Sequence, residues 1–95
     1  MAEVDDLTVA YEEDGHEIVQ ELGKSILSKG AWSTIVYLYQ EWDGGKEEYS
    51  KKKITIRRYQ KRNGEYRQKS KFNLSSIDQA KKLNEILAGW IADEE

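Results

Sequence analysis

Ten of the chain's fifteen bases lie between residues 51 and 71: Lys51, Lys52, Lys53, Arg57, Arg58, Lys61, Arg62, Arg67, Lys69 and Lys71. Tyr59 and Tyr66 are interleaved with them, and Phe72 directly follows the last. Cationic side chains follow a phosphate backbone, and aromatic rings stack on unpaired bases at about 1–3 kcal/mol per base. That mixture of residue types points to single-stranded nucleic acid. Other chemistries are poorly served. With no cysteine and a single histidine, His16, neither a disulfide nor a thiolate or histidine metal cluster is available. No G-x-x-x-x-G-K-[ST] loop occurs, and Asp43-Gly44-Gly45-Lys46 is a lone turn. Ser75-Ser76 has no histidine near it in sequence and reads as a helix cap. The acids of the N-terminal stretch lack the glycine-containing spacing of a calcium loop. We therefore expect no catalysis, no cofactor, no metal and no small-molecule substrate.

The net charge of −3 conceals a segregation. Residues 1–23 carry eight acids and no base; residues 24–72 carry thirteen bases and five acids; residues 73–95 carry two bases and five acids. A basic working surface with acidic ends follows. At 95 residues the chain has room for one core. Residues 1–15 are expected to be an acidic, disordered leader, and 16–92 the sheet-plus-helix domain. The leader acids Glu3, Asp5, Asp6, Glu12, Glu13 and Asp14 are expected to compete with nucleic acid for the basic sheet. No apolar run reaches the ~20 residues of a membrane span and no signal-peptide pattern is present, so a cytoplasmic protein without a membrane partner is expected.

The elements that must position these residues can be read from periodicity. Residues 32–42 are rich in β-branched and aromatic types and form the clearest strand, although both of its faces are apolar or aromatic. Residues 17–28 fit a helical stripe or a strand bulged at Gly23. Residues 52–61 alternate, with Ile54 and Ile56 opposite Thr55, Arg57 and Tyr59. Asn63-Gly64 is a strong hairpin signal. Strict alternation over 66–74 would put Tyr66, Gln68, Ser70, Phe72 and Leu74 on one face and Arg67, Lys69, Lys71 and Asn73 on the other. Ser76 with Gln79 makes a capping box for a last helix, whose stripe is Ile77, Ala80, Leu83, Ile86, Leu87, Trp90 and Ile91.

One helix covers one face of such a sheet. If it lies over Ile54, Ile56, Phe72 and Leu74, the opposite face is left to water or a ligand. Phosphate contacts are expected from Arg57, Arg67, Lys69 and Lys71, with Lys53 and Lys61 at the margin. Stacking is expected from Tyr59, then Tyr37, Tyr39 and Trp32. Neither Arg57 nor Tyr59 is expected to belong to the core. Trp90 is assigned to the core or a dimer contact, Trp42 to a partly buried strand end, and His16 to solvent. The helix stripe is wider than one small sheet covers, which predicts a symmetric dimer about Leu83, Leu87, Trp90 and Ile91.

Several strings in this order resemble the positive cofactor four family of single-stranded-DNA-binding transcriptional coactivators, in particular its small bacterial relatives. They are Glu17-Ile18-Val19-Gln20-Glu21-Leu22, Lys29-Gly30 with Trp32, Ile54-Thr55-Ile56-Arg57-Arg58-Tyr59, and Lys69-Ser70-Lys71-Phe72-Asn73-Leu74-Ser75. The resemblance spans roughly residues 16–91. It implies an α+β domain: a four-stranded antiparallel sheet followed by a C-terminal helix (ββββα), with residues 17–28 as the first strand. It also implies a homodimer with single-stranded DNA across its sheets. Arg57 and Tyr59 match the family's basic and aromatic positions on the third strand, and Trp32 stands near its early aromatic. The family's lysine-glycine pair before the end of the last strand is replaced by Ser70-Lys71. Residues 32–91 also look like the arm-binding domains of phage-type integrases, which read duplex DNA. A paired strand at 17–28 favours the coactivator-like fold, and a loop or helix there the integrase-like one. A protein-interaction module is the third reading.

Overall fold

The computed structural model describes residues 3–95. A 3-10 turn, Val4–Asp6, precedes strands β1 (Tyr11–Glu13), β2 (His16–Ser28), β3 (Trp32–Asp43), β4 (Glu48–Tyr49), β5 (Lys53–Arg62) and β6 (Glu65–Leu74), and helix α1 (Ile77–Glu94) ends the chain. The strands form one antiparallel sheet in the order β1-β2-β3-β5-β6, with β4 paired to the end of β3. The fold is α+β, as expected, but the sheet has six strands rather than four. The additions are short: β1 and β4 extend the hairpin partners β2 and β3 where composition alone gives no strand signal.

Local sequence explains the connections. Asp14-Gly15 and Asn63-Gly64 are two-residue hairpin loops in which both residues have positive φ: 51° and 78° in the first, 53° and 80° in the second. Such primed turns match the right-handed twist of the flanking strands. The Asp43 carboxylate accepts from the amides of Gly45 and Lys46 and folds the β3–β4 turn. Residues 17–28 are strand throughout, with the register slipping between Glu21 and Gly23 and again between Ile26 and Ser28. A Cβ at Gly23 would stand 3.3 Å from that of Leu38, so glycine lets the bulged strand lie close to β3.

The β3–β5 register assigns the two faces of the sheet. Ser33, Ile35, Tyr37 and Tyr39 lie across from Tyr59, Arg57, Thr55 and Lys53; we call this the tyrosine face. Val36 and Leu38 lie across from Ile56 and Ile54 on the isoleucine face, which Phe72 and Leu74 of β6 continue. The core sits on the tyrosine face. Ile35 and Tyr37 are fully enclosed there together with Tyr39, Tyr59, Val4 and Val9, and Leu7, Val19 and Tyr66 pack around them.

Three of these residues come from the N-terminal leader. Composition predicts disorder over 1–15, but residues 3–10 instead follow a definite course on the tyrosine face and 11–15 form β1 and its hairpin turn at the sheet edge. The reason is their small apolar content, Val4, Leu7 and Val9, which finds a half-apolar sheet with no other cover. The Lys24 ammonium donates to the carbonyls of Val4, Asp5 and Leu7. The Glu21 carboxylate accepts from the Thr8 hydroxyl at 2.6 Å. The tyrosine face is therefore not left open as the sequence reading expects.

Helix α1 does not cover the isoleucine face. Leu83 and Ile86 meet Phe72 and Leu74 at the end of β6, and no residue of the helix is buried. Phe72 is 59% exposed and Trp90 67%. The Ser76 hydroxyl accepts from the Gln79 amide at 3.1 Å, which is half of the expected capping box. The returning Gln79 side chain accepts from the amide of Ser75 rather than Ser76. Two substitutions test these local devices. Gly64→Ala should cost about 1 kcal/mol or more in urea unfolding, because alanine is strained at positive φ. Ser76→Ala should cost about 1 kcal/mol and fray the helix in circular dichroism.

Candidate nucleic-acid interface

The tyrosine face gathers most of the expected contacts. Lys53, Arg57, Tyr59 and Lys61 come from alternate positions of β5, and Tyr37 and Tyr39 from β3. Lys71 faces Arg57 across the β5–β6 ladder, and Asn73 faces Thr55. The Thr55 hydroxyl bonds the Asn73 side chain at 2.6 Å, which satisfies a fully enclosed threonine. Arg57 donates to the Gln68 side chain at 3.0 Å, while its Nε is enclosed without a partner. Lys53 pairs with Glu41 at 3.5 Å.

Two of the expected residues face the other way. A bulge shifts the β5–β6 register between Arg58 and Tyr59, so that Lys69 has no partner and Tyr59 pairs with Gln68. One extra residue reverses the alternation. Tyr66 and Gln68 therefore join the tyrosine face, and Arg67, opposite Gln60, leaves it. Arg67 is exposed and lies 3.9 Å from Glu65. Trp32 also pairs with Gln60 and stands on the isoleucine face, where the Arg58 guanidinium sits 4.3 Å from its ring centroid. Lys69 sits on the exposed bulge of the edge strand.

The aromatic residues differ in access. Tyr37 has no exposed surface, Tyr39 is 7% exposed and Tyr59 6%, all within one cluster that includes Val4 and Val9. The expectation that Tyr59 lies outside the core is thus corrected: its hydroxyl meets that of Tyr37 at 3.2 Å inside the core. Sequence reasoning also missed Gln68, Asn73 and Lys24. The first follows from the unforeseen β6 bulge, the second was placed among the bases without a role, and the third lies beyond the Gly23 bulge, where periodicity gives no parity. His16 is exposed, as expected, and its ring also lies 4.6 Å from that of Trp42, with Tyr49 edge-on to the tryptophan at 5.1 Å. That cluster closes the far corner of the sheet. Among the described residues no group of acids and histidines could hold a metal ion, and no helix is long and apolar enough to cross a membrane.

Burial pushes the Tyr37 phenol well above its ordinary range, and its hydrogen bond to the Tyr59 hydroxyl, which favours the protonated form, adds to the shift. The unfolded phenol titrates near about 10. The stability gained from a neutral, enclosed Tyr37 is therefore complete below about pH 10 and is lost as pH rises beyond it. Tyr37→Phe should cost about 1 kcal/mol at neutral pH through the lost hydroxyl pair. It should also flatten the alkaline fall in stability, as read by urea unfolding at pH 7, 9 and 11. An equally steep alkaline fall in the variant would assign it to other groups.

No protein-family model matches the chain, and no curated protein or solved structure matches it either.

Proposed function

We propose that the chain binds single-stranded nucleic acid, DNA foremost, through the tyrosine face and with little sequence preference, in a coactivator-like role in transcription or DNA maintenance. The observation that carries this reading is the placement of Lys53, Arg57, Lys61 and Lys71 around Tyr59, on the sheet face turned away from the helix. The partnerless Nε of Arg57 strengthens it, because an enclosed donor without an acceptor is suited to an anion. The pairing of β2 with β3 from Val19 to Ser28, two bulges included, favours the coactivator-like arrangement over the integrase-like one. Arg67 and Trp32 are left out of the contact set, since both stand on the other face.

Removing a phosphate contact should weaken binding to all sequences alike. Lys71→Ala alters an exposed side chain and should leave the fold intact. It should lower the slope of log affinity against log salt by about 0.7, the single-strand value per phosphate. Arg57→Ala should do the same at some cost in stability. Labelled oligo-dT titrated at several salt concentrations measures both. Slopes equal to that of the wild type would remove the tyrosine face as the site.

The same reading includes a symmetric dimer through the isoleucine face and α1. The chain exposes 7090 Å², against about 5,650 Å² expected for a folded monomer of this mass. The excess exceeds the roughly 800 Å² per partner of a standard interface. The Cα radius of gyration, 15.5 Å, likewise exceeds the about 12.4 Å of a compact chain of this length. Exposed Phe72, Ile86, Leu87, Trp90 and Ile91 supply the apolar patch. Sedimentation should give twice the 11.1 kDa chain mass, and Trp90→Glu should shift it to the monomer. A wild-type monomer at high micromolar concentration would refute the dimer.

A further inference from the structure

We infer that residues 3–10 are a strap that masks the tyrosine face, and that strap and single-stranded nucleic acid occupy this face in turn. The inference rests on the nucleic-acid reading above and gives that site its regulation. The strap lies where the nucleic acid is placed. Val4 is 1% exposed and Val9 7%, and both pack into the cluster of Ile35, Tyr37, Tyr39 and Tyr59. The strap's latches, Glu21 and Lys24, pair with Tyr39 and Tyr37, and no base can stack on these two tyrosines while they are enclosed.

The strap is held by few bonds. Lys24 donates to three of its carbonyls, and Glu21 accepts from the Thr8 hydroxyl and, at 3.4 Å, from the Val9 amide. It contributes no strand to the sheet. A segment with two buried side chains and a few side-chain latches belongs to the least stable part of a fold and opens without unfolding the rest. The leader acids act differently from the simple electrostatic competition that composition suggests. Among the described residues, neither ion pair joins a strap acid to a sheet base. Asp5 and Asp6 are exposed on the strap and confront an approaching phosphate chain with negative charge. When the strap leaves, Lys24 exchanges its carbonyl acceptors for solvent or phosphate and adds a cation to the uncovered face.

A site that is competent only when the strap is open binds with an apparent affinity reduced by the open fraction. Loosening the strap should therefore tighten binding. The test uses the full chain, with labelled oligo-dT followed by fluorescence anisotropy and the fold checked by circular dichroism. Val4→Ser should lower Kd by about tenfold or more, and Thr8→Val, which alters only an exposed latch residue, by a few fold. If Val4→Ser fails to fold, Thr8→Val decides. In the wild type, adding oligo-dT should release the hydrogen-exchange protection of the Leu7, Val9 and Ala10 amides. Wild-type binding with unchanged or weaker affinity in the variants, or with these amides still protected in the complex, overturns the strap and leaves the nucleic-acid reading standing. Absence of oligo-dT binding by all three proteins overturns both.

Discussion

Burial of apolar surface on two faces of a single sheet is the constraint around which this structure is arranged. The β3 strand is apolar on both sides, so each face needs a cover, yet the chain has one helix, and that helix reaches only the end of β6. The tyrosine face solves the problem internally. The leader supplies Val4, Leu7 and Val9, and Lys24 donates to three carbonyls of this irregular segment. The isoleucine face solves it only in part. Ile54 and Ile56 are half-buried, and the helix stripe beyond Leu83 stays exposed. Shape, excess surface and the proposed pairing of two copies all follow from this unequal cover.

Much of the architecture was legible because its signals are local. The Asn63-Gly64 turn, the Ile54–Tyr59 alternation and the Ser76 cap each depend on a few consecutive residues, and each is where the sequence places it. Parity failed where a bulge intervened. The extra residue at Lys69 reverses Tyr66, Arg67 and Gln68 relative to strict alternation, and no residue type in Arg67-Gln68-Lys69 announces it. The leader was misjudged for a different reason. Its six acids dominate the composition, whereas its placement depends on three apolar side chains and on a lysine more than ten positions away.

The charge pattern has a second physical consequence beside the proposed binding. Strand β6 is a ten-residue sheet edge with one side unpaired, a template on which foreign strands could add. Arg67, Lys69 and Lys71 along it, together with its bulge, discourage that pairing. Lys71 alone of the three also turns toward Arg57. The same run of bases thus divides between guarding the edge and furnishing the basic face, which explains why only part of the cluster converges on the tyrosines.

The hairpin at Asp14-Gly15 ties the leader to the sheet edge through β1. The segment that covers the tyrosines is therefore tethered next to its own docking surface, and its reassociation is a unimolecular event at an effective concentration set by a short linker, of the order of millimolar. Dilution separates two copies of the chain but leaves that local concentration unchanged. A dimer of the proposed kind would thus answer to how much protein is present, whereas the cover is indifferent to it.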